Sequence, residues 1–171
     1  MVWLDGLFYL IFTDTTGLAS NPGNGAGQYV MRSPDPTFRT GVEELRADGF
    51  GPYDPALHTA HRLFESFSVD WQYLDALDAF AVASHTTGGV TRVHLFDRSL
   101  LRDVDVLEIP GSWHEGPGVV SRPDKHAVPA PSCGPIPFDV MRALGPDDVM
   151  SWDLGPTGAD LLTGLGCECQ S

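Results

Sequence analysis

Lysine is almost missing from this chain. Of 171 residues one is lysine, Lys125, set against nine arginines, seventeen aspartates and six glutamates, and the net charge is −13. The excess is not confined to a tail: residues 1–60, 61–110 and 111–171 carry −4, −4 and −5. A surface this negative repels phosphate backbones and anionic headgroups, so direct binding to nucleic acid or to a membrane is disfavoured unless a divalent metal bridges. It would attract a basic protein instead.

Cysteine is scarce and odd in number: Cys133, Cys167 and Cys169. A disulfide-stapled secreted fold needs an even set and a leader. The apolar opening, residues 1–12, lacks a positive region and contains Asp5, unlike a signal peptide, so a reduced, cytoplasmic protein is expected. Long apolar runs are also lacking, which excludes a helical membrane span. There is no Gly-X-Y period, no heptad run, no P-loop, no dinucleotide-binding glycine motif, no nucleophile elbow and no EF-hand loop. Residues 21–27 (NPGNGAG) are glycine-rich but lack the lysine and following helix that cradle a phosphate.

What is present is a folded domain's worth of apolar residues, 42% of the chain. The 19 glycines and 14 prolines concentrate in long loops, at about 14–55 and 110–137. Residues 6–13 (GLFYLIFT) read as a central strand buried on both faces, and 28–32 as a second. Asp54-Pro55 supplies a helix N-cap and a proline at the first helical position. Leu57, Ala60, Phe64 and Phe67 then form an apolar stripe, so a helix is expected over 55–67 and a second over 69–79. Residues 80–85 and 90–96 around Gly88-Gly89 read as a hairpin, and 104–109 as another strand. Short helices are expected at 42–47, 138–144 and 158–165. The expectation is one α+β domain: a mostly antiparallel sheet, two adjacent helices covering one face, and short C-terminal helices.

Three places could carry chemistry. On the first helix His58, His61 and Glu65 would share one stripe, and two imidazoles with a carboxylate could hold zinc or another divalent transition metal. A two-residue Gly88-Gly89 turn would put His85, Arg92 and His94 on one hairpin face, either an anion site or a solvated surface. Cys133 could act as a nucleophile if a base lay near, with His114 and His126 upstream and Glu115 to orient the His114 ring. Asp70, Asp75 and Asp78 read as solvated helix positions. Charge without a catalytic motif points to an acidic interaction protein that binds a basic partner, as an inhibitor or immunity-type factor does. A small metal- or cysteine-dependent enzyme is the alternative. A homo-oligomer built on the aromatic N-terminal strand and on exposed Trp3, Trp71, Trp113 or Trp152 is another.

Overall fold

The structure is a computed structural model that describes residues 1–15, 26–57, 59–66, 68–86, 90–110, 117–120, 123–126, 139–143 and 152–153. Within them the chain is an antiparallel β protein. Sheet 1 holds β1 (Val2–Leu4), β2 (Leu7–Asp14), β3 (Gly27–Ser33), β4 (Glu43–Arg46) and β5 (Gly49–Pro52), in that order. Sheet 2 holds β6 (Val69–Leu74), β7 (Ala79–Thr86), β8 (Val90–Asp97) and β9 (Asp103–Pro110). Sheet 3 holds β10 (Gly118–Val120), β11 (Asp139–Ala143) and β12 (Trp152–Asp153). Each strand pairs with the next in the chain, so each sheet is a meander. The first strands of the sheets lie near one another, β1 against β6 and β6 against β10.

The expected α+β architecture is therefore corrected: no α-helix occurs among the described residues. The segment expected as a helix over 69–79 is β6, a single 3₁₀ turn (Asp75–Leu77) and the start of β7. Its apolar spacing was that of a strand buried on both faces, which periodicity cannot separate from a buried helix. At Asp54-Pro55 the cap forms without the helix. Asp54 Oδ1 accepts the Ala56 N–H at 2.9 Å and the Asp54 carbonyl accepts the Leu57 N–H at 3.1 Å. One turn follows, and the chain then lies extended against sheet 1. His61 N–H donates to the Leu45 carbonyl at 2.7 Å and Leu63 N–H to the Gln28 carbonyl at 2.9 Å, while Phe64 accepts from the Gln28 N–H at 3.0 Å. These bonds to β3 and β4 compete with helical ones and win, because they also place Ala60 in the interior. The expected helices at 42–47 and 138–144 are strands β4 and β11, and 158–165 lies outside the described residues.

The expected strands at 6–13, 28–32 and 104–109 are present as β2, β3 and β9, and the hairpin as β7–β8. The core lies between sheets 1 and 2. Val2, Leu4, Tyr9, Val30 and Leu45 from one face meet Trp71, Tyr73, Phe80, Val82 and Phe96 from the other. Phe80 is the hub, with ring centroids 5.4 Å from Tyr9, 5.1 Å from Trp71 and 5.1 Å from Tyr73. Sheet 2 is buried on its other face as well, where Gln72, Ala81, Ala83, Val93, Leu95 and Thr91 are all inaccessible. Sheet 1 differs. Its outer face carries Phe8, Leu10, Phe12 and Met31 half-buried and Trp3 49% exposed beside the buried Tyr29, Ser33 and Glu44, and within the run expected to be buried on both sides only Tyr9 is fully buried.

Candidate functional site

The densest polar cluster among the described residues sits where β1, β6 and β10 meet, under a short strap of residues 123–126. Asp70 lies in β6, an edge strand of sheet 2. Its carboxylate turns back to accept the N–H of Trp71 at 2.8 Å and reaches across to accept the N–H of Val119 in β10 at 2.9 Å. The same two oxygens each accept from the Lys125 ammonium, at 2.9 and 2.7 Å. The pair is about three-quarters buried, with side chains 27% and 24% exposed. The single lysine of the chain thus binds an aspartate 55 positions away.

The strap is held by its backbone too. Tyr73 N–H donates to the Lys125 carbonyl at 2.8 Å, and the Asp124 carboxylate accepts the His126 N–H at 3.1 Å in an Asx turn. Lys125 adopts a left-handed φ of 62°, a conformation that costs a non-glycine residue about 1–2 kcal/mol. The surrounding bonds offset it. His126 Nδ1 lies 2.9 Å from both oxygens of Asp75 on the 3₁₀ turn, and Nε2 lies 2.7 Å from the Trp3 carbonyl of β1. Burial would lower the His126 pKa, but the bonds to Trp3 and Asp75 and the charge of Asp124 outweigh it and raise it. Below the strap the Tyr73 hydroxyl donates to Asp78, and Arg98 bridges Asp78 to Asp5. Burial and the Asp78 bond push the Tyr73 pKa up.

Asp70, Asp75 and Asp78, expected as solvated helix positions, are therefore the anchors of this cluster. Their partners Lys125, His126 and Arg98 come from remote segments, and a single sequence gives no sign of such pairings. The one signal present was the lone lysine in an Asp-Lys-His run. Chemically the cluster is saturated. Asp70 accepts four hydrogen bonds, and both His126 nitrogens are engaged. It is built to hold elements together.

The other expected sites fare differently. Without a helix, nothing brings His61 and Glu65 onto one stripe. His61 is partly buried, which lowers its pKa, and Glu65 is exposed. His58 lies outside the described residues, as do Cys133, His114 and Glu115. Among the described residues no group of three or more His, Cys, Asp or Glu could hold a metal ion. On the hairpin, Thr86 pairs with Val90, one residue short of the expected two-residue turn. His85 therefore pairs with Thr91 and Ser84 with Arg92, so the expected trio is not in register. Arg92 binds Glu108 at 2.9 Å, and His94 binds Asp103 at 2.8 Å while stacking on Phe64 with centroids 4.6 Å apart.

No helix of the described residues is long and apolar enough to cross a membrane. No family model matches this chain, no curated protein matches it, and no solved structure matches it.

Proposed function

We propose that this is an acidic interaction protein that binds a basic protein partner, in the manner of an inhibitor or immunity-type factor. One observation carries the reading: six of the ten cations are engaged by carboxylates of this chain, while several exposed acids have no such partner among the described residues. Arg32, Arg46, Arg92, Arg98, Arg102 and Lys125 each hold a carboxylate of this chain. Asp48, Glu65 and Asp105 are exposed, with no cation in ion-pair contact among the described residues. Their field is free to steer a cationic surface. The scarcity of cysteine supports a reducing, cytoplasmic setting for this encounter.

Titration calorimetry with lysozyme as a folded cationic probe, and with a neutral Gly-Ser peptide as control, tests the reading. Binding of lysozyme is expected at about 20 mM salt and should weaken at least about tenfold by about 200 mM, as screening shortens the field. Absence of binding at low salt, or binding that salt leaves unchanged, overturns it. The half-open apolar face of sheet 1 favours a second reading, self-association through β1 and β2. Light scattering that gives a monomer mass at every concentration removes it.

A further inference from the structure

We propose that His126 is a pH-operated clasp: with both ring nitrogens protonated it pins the 123–126 strap to β1 and to the 3₁₀ turn after β6, and on losing one proton it gives up one of these bonds, so that the strap, then held by Lys125 and the Tyr73 backbone bond alone, opens more readily. The argument is one of donors and acceptors. The Trp3 carbonyl can only accept, so Nε2 must carry a hydrogen to bind it at 2.7 Å. The ionised Asp75 carboxylate can only accept, so Nδ1 must carry one to bind both its oxygens at 2.9 Å. A neutral imidazole has one N–H and must turn a lone pair toward one of these acceptors. The His126 side chain is 14% exposed and that of Asp75 48%, so water reaches the carboxylate but has little access to the ring nitrogen that loses its proton.

Each element packed on His126 brings its own charges. Asp75 comes from the 3₁₀ turn and Asp124 from the strap itself, and both favour the imidazolium. Tyr73 of β6 lies against the ring, with centroids 5.4 Å apart, and its hydroxyl is engaged by Asp78. Asp70 and Lys125 face each other and the Met1 amino group, whose pKa is lowered by burial and by Lys125. Because the folded His126 pKa is raised, the clasp is fully closed below the ordinary histidine pKa and opens as pH rises through the folded value.

The lone lysine supplies the assay. A lysine-specific endoprotease has one target in this chain, the Lys125–His126 bond, which the closed strap holds in a left-handed turn against β6. Cleavage of the whole protein is followed against pH and normalised to cleavage of a free peptide of residues 120–130, which corrects for the protease's own profile. The normalised rate is expected to rise by about tenfold per pH unit between the open-state and folded pKa values, then level off. His126→Gln should cleave at the fast level with no such rise. The Met1 amino group titrates in both proteins, so the comparison removes its contribution. NMR titration of the ring is the second measurement: a raised His126 pKa is expected, falling in Asp75→Asn together with the cleavage midpoint. A normalised rate flat with pH in the wild type, the same rise in His126→Gln, or a His126 pKa at or below the ordinary value each overturns the proposal. If His126→Gln does not fold, the wild type and Asp75→Asn still decide it.

Discussion

Thr91 is fully buried in β8, and its hydroxyl oxygen has no hydrogen-bond partner among the described residues. Its neighbours on that face, Val93 and Leu95, are equally buried. An unpaired buried hydroxyl costs about 1–3 kcal/mol, and valine has the same branched shape without it. Thr91→Val should therefore raise stability by about 1 kcal/mol, read as a higher urea midpoint with an unchanged slope. Residue-scale roles of this kind were poorly legible in the sequence. Alternation of Val93 and Leu95 indicated a buried face, but not that a threonine within it would lack a partner. The Asp70–Lys125 pair was harder still, since it depends on a fold that brings two distant segments into contact. Gly88-Gly89 marked a hairpin correctly. A one-residue difference in its loop was enough to change every cross-strand pair on β7 and β8, so the expected His85–Arg92 pairing did not survive.

Strands and turns were easier to read wherever a local signal sufficed. The Asp5-Gly6 turn, which an expected first strand starting at Gly6 passed over, joins β1 to β2 with both residues at positive φ, 50° and 79°, as tight hairpins require. A side chain at Gly6 would meet nothing within 4 Å, whereas one at Gly27 would lie 2.7 Å from the Phe64 carbonyl oxygen of the 59–66 segment. The two glycines thus separate two costs. Gly6→Ala should destabilise by about 1–2 kcal/mol through backbone strain alone. Gly27→Ala should cost about 1–3 kcal/mol by pushing that segment off β3. Hydrogen exchange distinguishes them: the Leu63 and Gln28 amides should lose protection in Gly27→Ala and keep it in Gly6→Ala. The helices expected over 55–67 and 69–79 failed for a related reason. Their caps and spacing were sound local signals, but backbone bonds to β3, β4 and β7 were available to those segments and outweighed them. Local signals do not register partners that only the tertiary fold supplies.

Across the whole molecule, charge was the feature read most directly, because it needs no fold. With an isoelectric point near 4.5, the repulsion that keeps copies apart at neutral pH vanishes in mild acid. The apolar outer face of sheet 1, with Trp3 at its margin, then meets no opposing field. Turbidity should peak near pH 4.5, and Trp3→Ser should lower that peak while leaving neutral solubility unchanged. A peak that is the same in both proteins would place the sticking surface elsewhere. The β architecture of the described residues was only partly legible: eight-residue strands with turn signals were there, but two segments with helical spacing concealed that one meander follows another.

The bond from His126 to the Trp3 carbonyl joins positions 123 residues apart. For a chain made from its N-terminus onward, this sets an order of events. β1 and β2 can close their hairpin as soon as both have emerged. The strap that fastens β1 to the rest arrives only after all of sheets 1 and 2 have been synthesised. Until then Asp70 and Asp75 are acids without their cations, and the edge of β6 lacks the lysine that later covers it. The nascent chain must therefore pass through a stage in which two finished meanders wait for their fastening.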